Sequence, residues 1–284
     1  MPTATPARSA IPARTIEVRR PGLEYPEPAL PKYFVAGDIM RSHIAAMLSA
    51  VFPEGEDFFV RSVRAYRDEV ADPQLKEQVK GFIGQEAIHG REHRHFNERL
   101  QELGYPTAFV DRRTKAGLAF LAKIAPKDRQ LAVTAALEHY TATLAETLLR
   151  DEAAQAEFGS DEIRTLFTWH ALEETEHKSV AYDVFQQVSG KRRIRVGVMY
   201  ATHVMFLAGM SFAVLHSVAI DQHARRHPKE LWRSFKGLRT HPFFQRDVVR
   251  RLRDYDRRDF HPDDHDTVAL LAEWRERLGY VTAA

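Results

Sequence analysis

The chain of 284 residues contains no cysteine. Disulfides, thiolate metal sites, iron–sulfur clusters and cysteine nucleophiles are therefore excluded, and any metal must be held by histidine and carboxylate. There is no glycine-rich phosphate loop, no Gly-x-Ser-x-Gly elbow and no His-Glu-x-x-His run, so the motifs of P-loop, α/β-hydrolase and zincin chemistry are missing. Charge of one sign is also lacking. The 41 Lys+Arg against 39 Asp+Glu leave +2, and the basic clusters at 191–195 and 246–258 alternate with acids or apolar residues, as solvated helix faces do. Nothing here points to nucleic acid. Strand-type alternation is scarce, which argues against a sheet.

What is present is helical punctuation. Apolar residues make up 44% of the chain, enough for a real core. The spacing predicts helices over 33–50 (stopped by Pro53), 54–70, 73–103, 116–124, 126–150, 161–188 and 195–227. Three short helices follow, punctuated by Pro228, Pro242 and Pro262. Pro73 suits a first helical position, Gly104 a C-terminal stop and Ser160 an N-cap. Residues 1–31 hold 7 of the 14 prolines, so residues 1–32 are expected to form an extended arm packing loosely on the body. That stretch has no apolar segment of the secretory type. The expected division is the arm, a bundle over 33–190, and C-terminal helices over 191–284 packed on it.

Residues 196–220 contain no Asp, Glu, Lys or Arg. As a helix this run would be roughly 37 Å long, enough to cross a bilayer. Two His, two Gly and basic residues at both ends dilute that signal. The expectation is a helix buried in the bundle or in a dimer interface, with peripheral membrane contact as the alternative and a cytoplasmic location for the chain. His203 and His216 on this helix are expected to be satisfied core or interface histidines.

The chemistry-bearing pattern is a doubled one. Glu86–His89 and Glu174–His177 are Glu-x-x-His pairs, whose members lie about 60° apart on one helix face. Counting such pairs proves little, because the 14 His and the chain's glutamates would produce about one by chance. The arrangement says more: each pair is preceded, one helix earlier, by a single Glu at 56 or 138. Antiparallel helices would bring four carboxylates and two imidazoles to one depth, the ligand set of ferritin-like di-iron and di-manganese sites. Glu54 and Asp57 are close rivals of Glu56. His93 and His170 share the stripes of the two pairs, as extra ligands or as hydrogen-bond partners that orient ligands. Thr141, with Ala142 and Ala145, would leave room beside the metals. Glu92 and His95 are assigned to a solvated face, and Glu173 and Glu176 to supporting or surface positions.

Four segments, FPEGEDFFVRSVRAY (52–66), FIGQEAIHGREHRHFN (82–97), ALEHYTA (136–142) and WHALEETEHKSVAYDVF (169–185), resemble the bacterial family named predicted metal-dependent hydrolase, which is grouped with the ferritin-like proteins. The likeness runs from about residue 30 to 280. It implies an all-α, ferritin-like four-helix bundle with extra N- and C-terminal helices. It also implies metal ligands Glu56, Glu86, His89, Glu138, Glu174 and His177. Tyr140 and Tyr182 lie beside these motifs, as candidates for supporting or redox-active groups. The expected cofactor is two divalent ions, iron first, with manganese or zinc as alternatives. The expected activity is oxidase or oxygenase chemistry on a small or lipophilic organic molecule, with a redox partner. A two-metal hydrolase is the alternative, and a non-catalytic bundle the second alternative. A homodimer is also compatible with the sequence.

Overall fold

The computed structural model describes residues 15–23 and 30–280, so much of the expected arm lies outside the described residues. The helices are α1 (Ile39–Arg64), α2 (Pro73–Glu102), α3 (Thr107–Ile124), α4 (Lys127–Arg150), α5 (Glu152–Ala156), α6 (Asp161–His177), α7 (Val180–Val188), α8 (Arg192–Ile220), α9 (Gln222–Arg226), α10 (Pro228–Gly237), α11 (Arg246–Asp254) and α12 (Val268–Arg277). Among the described residues there is no strand, only an isolated bridge between Val35 and Phe158. The fold is all-α. Helices α1, α2, α4 and α6 pack as a closed set, α1 on α2 and α4, α6 on α2 and α4.

Local chemistry explains most boundaries. Asp72 caps α2 by accepting from the Leu75 N–H at 2.8 Å, with Pro73 at the first helical position. Ser160 caps α6, and Gly104 takes φ 88° after α2, a left-handed conformation that costs glycine little. Three expectations are corrected. The first helix begins at Ile39 behind the Asp38 cap, because Ala36 and Gly37 have positive φ. It then runs unbroken through Pro53 instead of stopping there. The predicted 161–188 helix is interrupted at Lys178–Ser179, directly after His177, where the chain stays near helical dihedrals but the ladder lapses.

Two apolar clusters lie along the four helices. One gathers Met47, Ala50, Phe96, Leu100, Leu148 and Leu166. The other gathers Phe58, Val63, Val79, Phe82, Leu131 and Phe185. Each large side chain removed from water contributes roughly 1.5–3 kcal/mol. Between the clusters, the layer holding Glu56, Glu86, His89, Glu174 and His177 is polar yet fully buried.

The segment 15–23 packs more closely than the expected loose arm. It runs over α2 where Gly81 and Gly84 leave room. A Cβ at Gly81 would stand 2.5 Å from the Ile16 carbonyl oxygen, and one at Gly84 2.3 Å from Val18 Cγ2. Arg19 is buried there and grips Glu176 with both terminal nitrogens, at 2.7 and 2.9 Å.

The apolar helix α8 corrects the expectation of burial within the bundle. It buries one strip, including Met199, Thr202, Ala213, Val214 and Ser217, against α1 and α4. Only 17% of its most apolar window is inside the molecule, so it is not a central buried helix.

Candidate metal centre

Each expected metal-ligating residue points into one layer. Glu56 comes from α1, Glu86 and His89 from α2, Glu138 from α4, and Glu174 and His177 from α6. Glu56 faces inward, whereas its rivals turn away: Glu54 pairs with Lys115 at 3.2 Å and Asp57 with Arg94 at 2.9 Å. Gly90 lets α1 approach, since a Cβ there would lie 3.2 Å from Glu56 Oε2.

Ligand-type atoms gather in three overlapping groups, each with atoms within 4.8 Å of one another. They are Glu56–His89–His170, Glu86–His89–Glu174 and Glu86–Glu138–His177. Glu86 and Glu174 therefore lie between a Glu56/His89/His170 end and a Glu138/His177 end. His177 Nε2 is 3.0 Å from Glu86, 3.3 Å from Glu138 and 3.6 Å from Glu174.

Nine polar atoms facing this layer lack hydrogen-bond partners. Both oxygens of Glu56, Glu86 and Glu138, Glu174 Oε2, His89 Nδ1 and His177 Nε2 are buried without a hydrogen bond. Buried carboxylates without partners cost several kcal/mol each. Two divalent cations would balance the four charges, so the donor set fits the group.

The surrounding hydrogen bonds assign which histidine nitrogens face the layer. The Gln85 amide nitrogen donates to the Glu17 carbonyl (2.9 Å) and to Glu176 (3.0 Å), so its oxygen faces His177. His177 Nδ1–H donates to that oxygen at 2.8 Å, and Nε2 is left toward the carboxylates. His89 Nε2–H donates to Glu173 at 3.0 Å, which turns Nδ1 inward.

A longer relay sets His170. The Asn97 amide nitrogen donates to the Ser49 carbonyl (3.0 Å), so its oxygen accepts from the Ser49 hydroxyl (2.7 Å). Ser49 Oγ then accepts from His93 Nδ1–H at 2.8 Å, and His93 Nε2 accepts from His170 Nδ1–H at 2.7 Å. His170 Nε2 is left facing Glu174 Oε1 at 2.8 Å and Glu56 Oε1 at 3.6 Å. Of the two extra histidines on the stripes, His170 reaches the centre and His93 stands behind it.

Burial dominates the acid–base balance. It pushes the Glu56 and Glu86 carboxyls well above their ordinary range, with neighbouring carboxylates adding to the shift. The same causes raise Glu138 to about 7. Burial and the nearby His170 lower His89 and His93, keeping both neutral. At His177 burial works the other way, but Glu138, Glu174 and Glu86 outweigh it and raise the imidazole. At Glu174 burial raises, but the imidazoles of His170, at 2.8 Å, and His177, at 3.6 Å, prevail and hold the carboxyl well below its ordinary range, so it stays ionised. Without a metal, protons carry the positive charge that the carboxylates require.

The remaining candidates fall in different places. Thr141 donates to the Glu138 carbonyl and lines a cavity that reaches the centre. Tyr140 lines the same cavity and hydrogen-bonds His203, while burial raises its phenol to about 12. Tyr182 is a correction: it donates to the Phe260 carbonyl at 2.5 Å among Tyr255, Phe260 and His261, away from the ligands. His95 is exposed as expected, but Glu92 is buried and paired with Arg91. Glu173 and Glu176 support the centre from buried positions. Gln85, Ser49, Asn97 and Arg19 were missed, because a polar residue's long-range partner leaves no local mark in a sequence.

Fold and site together define an all-α protein with a buried carboxylate–histidine centre suited to divalent metal ions. The family described as predicted metal-dependent hydrolase matches residues 17–266, and the chain belongs to that family. No curated protein and no solved structure shows a significant match.

Proposed function

We propose that the chain is an enzyme whose centre holds two divalent cations. Glu56, His89 and His170 would serve one ion, Glu138 and His177 the other, with Glu86 and Glu174 between them. The observation that carries this reading is the convergence of unpartnered buried oxygen and nitrogen atoms from four helices. Elemental analysis should give two metal ions per chain, reduced to one or none in Glu174→Ala. A wild-type protein that binds no divalent ion under any loading condition would end the reading.

Hydrolysis of an organic substrate is the reaction that the family description favours. Bound cations supply Lewis acidity and, if iron or manganese, redox capacity. The chain's own residues do the positioning. Gln85 and Glu173 hold His177 and His89 in one orientation, and the Asn97–Ser49–His93 relay does the same for His170.

Oxidative chemistry on a lipophilic molecule, with a redox partner, is a second reading, favoured by the apolar walls of the cavity that meets Glu56, His170 and Glu174. The two readings separate on metal identity. Turnover fully restored by zinc in the absence of oxygen supports hydrolysis, and turnover that requires iron or manganese and consumes oxygen supports oxidation. The proposed setting is cytoplasmic.

A further inference from the structure

A cavity of about 780 Å³ lies between α1, α3, α4 and α8. That volume is within the ~300–1,000 Å³ typical of small-molecule sites. Its inner end is formed by Glu56, His170 and Glu174, and most of its wall is apolar, with Phe52, Leu137, Leu144, Phe206 and Met210 among the lining residues. Phe120 and Ile124 of α3 and Met205 and Phe212 of α8 line it too, yet all four are more than half exposed. The cavity therefore opens between α3 and α8, through a rim made of apolar surface side chains.

That rim belongs to a larger apolar surface. On α8, Val204, Leu207 and Leu215 are exposed alongside Met205 at 72%. A contiguous apolar surface of this kind marks an interaction site. Its flanks are basic. Residues 191–237 carry nine Lys+Arg against two Asp+Glu, a local +7 in a chain whose total is +2. Of those nine, Arg195 is buried and the other eight are exposed. A second copy seated here would bring two such segments together, whereas an anionic lipid surface complements them. The helix cannot cross a bilayer in this fold, because its other face is packed on α1 and α4. Lying along the surface suits both faces.

We propose that the α3–α8 face rests on an anionic membrane surface and that the cavity behind it admits the hydrocarbon chain of a single-chain amphiphile, bringing the molecule to the metal centre. As a statement of substrate class it rests on the enzymatic reading above. As a statement of binding it does not.

The test uses the full chain, metal-free and metal-loaded. Wild-type protein should sediment with vesicles of phosphatidylcholine containing phosphatidylglycerol, and at least tenfold less with phosphatidylcholine alone. Fatty acids from octanoate to octadecanoate should displace a fluorescent fatty acid with affinity rising roughly fourfold per methylene, the equivalent of about 0.8 kcal/mol each, until the cavity is full. Two sets of variants separate the parts. Val204→Glu with Leu215→Glu lie outside the cavity lining and should abolish vesicle binding while leaving fatty-acid affinity and helix content unchanged. Gly209→Trp enters open space, since a Cβ there meets nothing within 4 Å. It should weaken fatty-acid binding at least tenfold and leave vesicle binding intact.

Wild-type protein that ignores anionic vesicles overturns the proposal. So does a dimer dissociated by Leu215→Glu, or an affinity that does not change with chain length. If the centre binds no metal but vesicle and chain binding hold, the catalytic reading fails and this one stands.

Discussion

The side-chain amide of Asn97 donates to the Ser49 carbonyl at 3.0 Å, the acceptor that Pro53 leaves without its helical N–H. Proline four residues on removes the usual donor to that carbonyl and ordinarily kinks or ends a helix. Here a residue of α2 supplies the missing bond, and the same residue begins the relay that orients His170. Continuity of α1 and orientation of a histidine that faces the centre thus share one side chain. Asn97→Ala should cost about 1–3 kcal/mol in urea unfolding, the penalty of an unpaired buried carbonyl. It should also weaken metal binding roughly 10- to 100-fold by calorimetry, as loss of an orienting partner does. Normal metal affinity in this variant would mean that the relay does not position His170.

Gln85 tests the opposite end of the centre. Gln85→Met keeps the bulk but removes both the acceptor for His177 Nδ1–H and the donor to Glu17 and Glu176. Metal affinity is expected to fall by about 10- to 100-fold while helix content by circular dichroism stays unchanged. Glu138 and His177 share one group of ligand-type atoms, so loss of one ion with retention of the other is the expected stoichiometry.

The pH dependence follows from the signs of the shifts. Glu138 is raised to about 7, so its neutral form is favoured by folding. The stability it contributes to the metal-free protein is complete below the ordinary carboxylate value and lost as pH rises toward 7. Glu56 and Glu86 act in the same direction. Cations must displace these protons, so metal affinity should strengthen steadily from about pH 5 to 7, with proton release on binding. Calorimetry in buffers of different ionisation enthalpy measures that release directly. Affinity that is flat across this window would contradict the assignment.

The docked N-terminal segment carries a stability prediction. Arg19 holds Glu176 through two bonds and also reaches Glu173 at 3.2 Å, all three side chains being buried. Removing one partner of a buried ion pair costs roughly 3–5 kcal/mol. Arg19→Ala should lower the melting temperature by several degrees and expose residues 15–23 to proteolysis. Gly81→Ala should release the same segment by contact with the Ile16 backbone, without changing any charge. Protection from protease in both variants would show that the segment is held by something else.

Much of the bundle was legible because helices are written locally. The Pro73 start, the Gly104 stop and the Ser160 cap all act within a few residues, and the structure uses each of them. The stripe holding Glu86 and His89, and that holding His170, Glu174 and His177, follow from the helical repeat alone. Pro53 misled for a related reason: its local effect is to break a helix, and the compensating donor lies 44 residues away in the chain, at Asn97.

The amino-acid sequence by itself determined the all-α class, the spacing of the Glu and His side chains and the absence of thiol chemistry, since these rest on residue identity and on contacts within one or two turns. Tertiary structure decided which of Glu54, Glu56 and Asp57 turns inward, that His170 rather than His93 faces the centre, that Tyr182 lies elsewhere, and that α8 shows most of its apolar surface. Each of those outcomes depends on where a distant helix happens to pack, and the energy that settles it is shared between segments far apart in the chain.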